Sequence, residues 1–219
     1  MPDSLDWHEF LSVIALSLSV SLSATAAAAI IGLPLGAALA IWRFPGRGAI
    51  VVAANALLGL PPVVVGLALY LLLSHSGPLG GLGLLFTPAA MVIAQTLLAL
   101  PIVTALAHRA GEEYWVHYGD ALMDLGASRW RAVPALIAMA QAPMLTAALA
   151  GFGRTVSEVG AIIIVGGNIA AYTRTMTTAI VLETGMGNLS LALGLGLVLI
   201  GLTTMICAGA FALAGHPNR

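Results

Sequence analysis

Five long apolar stretches constrain this chain more than any other feature in it. They run over about 10–42, 50–73, 87–107, 136–165 and 189–213, and each reaches the roughly 20 residues that cross a bilayer as a helix. A soluble chain of 219 residues has too little interior to hide 60% apolar residues against 8% charged. The expected fold is therefore an all-α polytopic membrane protein, one transmembrane domain over residues 1–219. The first and fourth stretches are longer than a bilayer needs, so they tilt, kink or protrude. Pro34, Pro61-Pro62, Pro101 and Pro143 are the candidate kinks.

The arginines orient the spans. Arg43 and Arg47 flank the first short loop, Arg109, Arg129 and Arg131 follow the third stretch, and Arg219 ends the sequence. With five spans these positions share one side, which the positive-inside rule makes cytoplasmic: N-out and C-in. The acids Asp3, Asp6 and Glu9, and the uncharged segment 74–86, then face outside. Arg174, in the outer loop, and Arg154, inside a span, are the exceptions. An acidic start without basic residues is the opposite of a signal-peptide n-region, so no cleaved leader is expected.

Several functions are excluded or left without support. The chain has no lysine, which removes a Walker A loop and with it any P-loop ATP hydrolysis on this chain. No His-Glu-x-x-His is present, since His8-Glu9 lacks the second histidine. No repeat of transporter type is visible. The small residues of 24–40 and 191–202 predict close helix packing. Ser12, Ser17, Ser19, Ser21 and Ser23 predict back-bonding or interhelical hydrogen bonds. The lone Cys207 predicts packing. Neither a metal site, a cofactor nor a nucleic-acid partner is expected.

One segment breaks the apolar pattern. Asp120, Asp124, Arg129 and Arg131 crowd into twelve residues of the loop after the third stretch. The segment 111–125 predicts a helix lying beside the membrane. Gly126 suits the left-handed residue after it, and Ser128 the N-cap of a second short helix beginning Arg129-Trp130-Arg131. Such a protrusion is a solvated loop, a carboxylate metal site or a docking element. The metal site fails because no aspartate follows Asp124.

The order Asp120-Ala121-Leu122, then Gly126, then Ala127-Ser128-Arg129-Trp130-Arg131 resembles the EAA loop of ABC importer permeases. Asp120 replaces the family's Glu, Leu122 its second Ala, and Leu136 its Ile, while Ala138 and Met139 stand at its Leu-Pro. The resemblance implies a coupling loop over about 111–133 that seats in a separate ATPase subunit. ATP and Mg would be used there and not on this chain. Asp120, Ala121, Leu122, Gly126, Ala127, Ser128, Trp130 and Arg131 are the expected coupling residues, with Trp130 as an apolar anchor.

A second constellation occupies 151–169, GFGRTVSEVGAIIIVGGNI. Arg154 and Glu158 are four apart, predicting a pair on one helix face. Ionisable groups in a span face the bundle interior or a water-filled route. The pair is either a packing element or a gate, and Arg154, Ser157, Glu158 and Gly160 are the gate candidates. Gly166 and Gly167 should end the helix and leave amides free beside Asn168 and Arg174. Those amides would meet an oxyanion, or the turn would dock an external binding protein. SEVGA, VGGN and TRTMTTAI together resemble the permeases for tetrahedral oxyanions, and among them the tungstate type, with molybdate and sulfate permeases related. That resemblance implies a homodimer in the cytoplasmic (inner) membrane, two ABC ATPase subunits and an external oxyanion-binding protein.

Overall fold

The computed structural model describes residues 7–214. Asp3, Asp6 and Arg219, part of the charge pattern behind the N-out, C-in expectation, lie outside the described residues. The described residues form helices and no strand. The first stretch is one helix, α1 (Trp7–Ile41), which carries Pro34 without breaking. The second is not one helix. It divides into α2 (Arg47–Ala56), a 3-10 turn and α3 (Pro62–Leu73), bent by 102°. Pro61 and Pro62 remove two amide donors and force extended backbone ahead of them, so the chain breaks there.

The third stretch is α4 (Pro88–Asp124), and it does not stop where apolarity stops. Its 37 residues make a rod of about 55 Å, well beyond a 30 Å hydrocarbon core. This corrects the expectation of a separate helix beside the membrane: residues 111–124 continue the span. No glycine–proline signal interrupts them, and Gly111 is retained because Ala40 packs on it.

The fourth stretch is also subdivided, into α5 (Arg129–Met139), α6 (Gln141–Val156) and α7 (Gly160–Gly166). α5 and α6 meet at 80°. Pro143, an expected kink, sits harmlessly in the first turn of α6, where its missing N–H has no helical partner to lose. A helix absent from the expected spans, α8 (Met176–Gly185), precedes α9 (Leu189–Ala214). α1, α4 and α9 are long and apolar enough to cross a membrane, and five spans result if each bent pair counts as one.

The core is the α1–α4 seam. Ala28, Gly32, Gly36 and Ala40 repeat every fourth residue and face Ala99, Val103, Ala107 and Gly111. Without competing water, helices in lipid associate through such close contact. A Cβ on Gly36 would lie 2.6 Å from the Ala107 Cβ and 2.7 Å from the Thr104 carbonyl oxygen. At one end of this seam Arg47 ties three elements together. Its Nε donates to the Leu39 carbonyl at 2.6 Å and one terminal nitrogen donates to Glu112 at 2.6 Å, beside His108 at 2.9 Å.

Gly36→Leu is expected to overpack the seam and cost roughly 1–3 kcal/mol, read as an earlier thermal unfolding transition in detergent. Gly209→Leu, whose Cβ would meet nothing within 4 Å, should leave the transition where it is.

Candidate functional site

Two helix breaks meet deep inside the bundle. α6 ends at Val156, Ser157 caps it, and α7 restarts at Gly160. The depth follows from Thr155, whose hydroxyl lies 3.0 Å from that of Thr25 and 3.3 Å from the Ser21 carbonyl, near the middle of α1. Across from this break is the start of α3: a Cβ on Gly160 would lie 2.9 Å from Val63, and one on Gly66 would lie 2.8 Å from the Ala161 Cα.

The sequence explains the fourth-span break. The Ser157 hydroxyl donates back to the Gly153 carbonyl at 2.8 Å, satisfying an end carbonyl. Glu158 Oε1 accepts from the Ala161 N–H at 2.9 Å, the favourable place for an acid at a helix start. Arg154 and Glu158 do pair, at 3.2 Å. They are not on one continuous helix face, however. Glu158 lies beyond the end of α6 and reaches back across the break.

Other elements supply the remaining partners. Gln95 of α4 donates to the Thr155 carbonyl at 2.8 Å, and Thr177 of α8 donates to the Glu158 carbonyl at 2.9 Å. The Met176 N–H donates to Ser17 of α1 at 2.7 Å. Thr175 and Thr178 form a capping box at the start of α8, both buried. The segment expected as a simple outer loop thus returns to the depth of Glu158 before α8 begins. Gln95, Ser17, Thr175 and Thr177 were not among the expected site residues. Gln95 stands alone as an amide in an apolar run, and Thr175-x-x-Thr178 is a cap pattern; both signals are in the sequence.

The glycine turn is folded in on itself. Gly167 has φ +72°, as a helix-ending glycine should. Its N–H donates to the Ile163 carbonyl at 3.0 Å, and that of Ile169 donates to the Thr173 hydroxyl at 2.9 Å. Of the amides expected to be free at Gly166 and Gly167, that of Gly167 is therefore used inside the turn, as is that of Ile169. Gly166 is buried at the end of α7, and Asn168 has φ +50° with its Oδ1 buried and unpartnered. Arg174 does not join Asn168 but pairs with Glu9 at 2.9 Å, fixing the turn to the start of α1.

The polar island is the far tip of α4 and the turn into α5. Asp120, Ala121 and Leu122 lie in the last turns of α4. Gly126 has φ +80°, its N–H donates to Met123, and the Ala127 N–H donates to Leu122 at 3.1 Å. That is a Schellman ending, with the left-handed glycine in the expected place. Ser128 caps α5 by accepting from the Arg131 N–H. Asp120, Arg131 and Trp130 are exposed, and neither Asp120 nor Arg131 joins an ion pair among the described residues. Trp130 is 78% exposed although its ring lies 4.6 Å from that of Trp42, and Leu125 beside it is 85% exposed. Leu125 is an apolar tip residue outside the motif. Leu136 is fully buried against α1 and α4, and Ala138-Met139 lie where α5 ends before its bend into α6.

Known proteins decide what kind of membrane protein this is. A probable anion ABC transporter permease protein from Haloferax volcanii is 40% identical over 197 residues, covering 88% of this chain and 85% of that protein. The chain belongs to the anion ABC-transporter permeases. The tungstate uptake system permease TupB of Peptoclostridium acidaminophilum is 37% identical over 92% of this chain and 89% of its own length. The molybdenum transport system permease ModB of Azotobacter vinelandii is 33% identical over 78% and 79%. No family model matches the chain. Being a permease subunit, this protein is not an enzyme.

Thr177→Val keeps the shape of the permease side chain but strands the Glu158 carbonyl. It should cost about 1 kcal/mol or more, against nearly nothing for Thr184→Val at an exposed site. Paired thermal melts in detergent measure the difference.

Proposed function

We propose that this permease is the membrane-spanning subunit of an ATP-driven, binding-protein-dependent importer of a tetrahedral oxyanion, tungstate by preference. The observation that carries the reading is the kinship with a tungstate uptake permease along 92% of the chain. The geometry is in keeping with it. A polar, ion-paired discontinuity in mid-bundle suits a passage, because irregular backbone at membrane depth persists where protein or a water-filled cavity surrounds it. The exposed tip at Leu125, Trp130 and Arg131 suits the groove of a soluble motor.

In this proposal two copies of the chain enclose the passage in the cytoplasmic membrane, N-out and C-in. Two ABC ATPase subunits bind the tips spanning Asp120 to Arg131 and use ATP and Mg; this chain carries no cofactor. An oxyanion-binding protein delivers cargo at the opposite face, near the turn 166–174. Closure of the ATPase pair draws the tips together and reorients the spans.

Gly126→Pro tests the coupling assignment, since proline cannot adopt the observed φ of +80° or donate to Met123. It should abolish both co-purification with the ATPase subunit and ATP-dependent uptake; retention of both contradicts the assignment. Calorimetry on the binding protein that delivers cargo should give a tighter Kd for tungstate than for molybdate or sulfate. Equal affinities would remove the tungstate preference, and a molybdate preference would make this a molybdate permease.

A further inference from the structure

We propose that Arg154 is an oxyanion-binding residue of the passage, and that Glu158 is the resident anion it holds until cargo displaces it. The inference rests on the oxyanion-importer reading and assigns it a specific pair of side chains. Its first ground is where the cations are. Arg43, Arg47, Arg109, Arg129 and Arg131 gather at one end of the bundle, and Arg174 is paired with Glu9 near the other. Among the described residues, Arg154 is the one cation at the level where Thr155 meets the middle of α1.

The second ground is unequal exposure. The Arg154 side chain is 29% exposed, while that of Glu158 is 2% exposed behind it. Beside the guanidinium the surface is small: Ser157 is exposed, and a Cβ on Gly153 would meet nothing within 4 Å. A guanidinium open on that side in mid-membrane is costly against lipid and sustainable against water. The cation is therefore reachable from a passage, and its carboxylate partner is not.

The third ground is how loosely the pair is made. The contact to Glu158 is 3.2 Å, against 2.6 Å for Arg47–Glu112 and 2.9 Å for Arg174–Glu9. Well-formed charge-assisted bonds are about 2.7–2.9 Å. The contact with Glu158 is an ion pair, and no side chain or carbonyl among the described residues takes a hydrogen bond from Arg154, so its planar donor fork is unused. That fork matches two oxygens of a tetrahedral oxyanion. Glu158, meanwhile, has a second holding point, because its Oε1 accepts from the Ala161 N–H. Exchange breaks one ion pair and forms another, with no covalent change and no orphaned carboxylate.

The test uses the complete transporter in proteoliposomes, with tungstate, molybdate and sulfate as probes. Arg154→Gln should lower ATP-dependent uptake by roughly tenfold or more while the loaded binding protein still stimulates ATPase activity. Arg154→Lys should keep part of the uptake. Glu158→Gln, with no competing carboxylate, should let preloaded vesicles leak the probe without ATP. Arg154→Gln uptake within twofold of the unaltered protein, or a tight Glu158→Gln vesicle, overturns the exchange. So does recovery of normal uptake in the double variant, which marks a pair that only fixes packing. If Arg154→Gln fails to assemble, Arg154→Lys and Glu158→Gln decide. Uptake of none of the three anions by the unaltered protein would instead overturn the importer reading itself, and the exchange with it.

Discussion

Hydrocarbon offers no hydrogen bonds, so a helix that breaks inside a membrane must find partners for every freed carbonyl and amide within the protein. This constraint organises the centre of the bundle. The interruption at 157–159 leaves the Glu158 carbonyl and the Ala161 amide without helical partners, and the Thr155 carbonyl with turn bonding from the Glu158 N–H. Gln95 from α4, Thr177 from α8 and the Glu158 side chain answer them. Four separate helices are thereby committed to one polar point, and the chain between α7 and α8 has to descend to reach it.

The long α4 gives the arrangement a mechanical reading. Gln95 touches the break and Asp124 ends the helix at the exposed tip, with unbroken helix between them. That separation is about 40 Å of rigid element. In the proposed importer, a displacement of the tip by the ATPase subunits reaches the Thr155–Glu158 region without needing a chain of side-chain rearrangements. Arg47 keeps the broken second span attached to the same rod through Glu112, so α2 would move with it. Coupling and passage are then two ends of one helix.

Most of the architecture was legible in the sequence because apolar length is a strong signal. The five stretches all became helical, and the Gly126 ending and Ser128 cap appeared where left-handed freedom and hydroxyl capping required them. The breaks were less legible. Hydropathy cannot distinguish one span of 136–165 from three helices, since α5, α6 and α7 are all apolar. Hydropathy drops past Ala107 and so hides the continuation of α4, although helix propensity there remains high. α8 is hidden in the sequence because threonines read as loop when exposed and as caps when buried. The Arg154–Glu158 pair was anticipated from its spacing, yet it arises from a turn rather than from a helix face. Spacing alone could not separate the two. The amide expected to be free at Gly167 is likewise taken, by the Ile163 carbonyl, while Thr173 folds back to accept from Ile169 and donate to the Gly166 carbonyl.

The central claim is that the break at Ser157–Glu158 borders a water-filled passage and not lipid. Its most direct measurement is labelling of Ser157→Cys by a membrane-impermeant thiol reagent, in the assembled transporter with Cys207 replaced by serine. The account predicts modification at Ser157→Cys that ATP binding or tungstate slows, and none at Leu197→Cys on the exposed apolar face of α9. A Ser157→Cys that stays unmodified in every state of the cycle would contradict it.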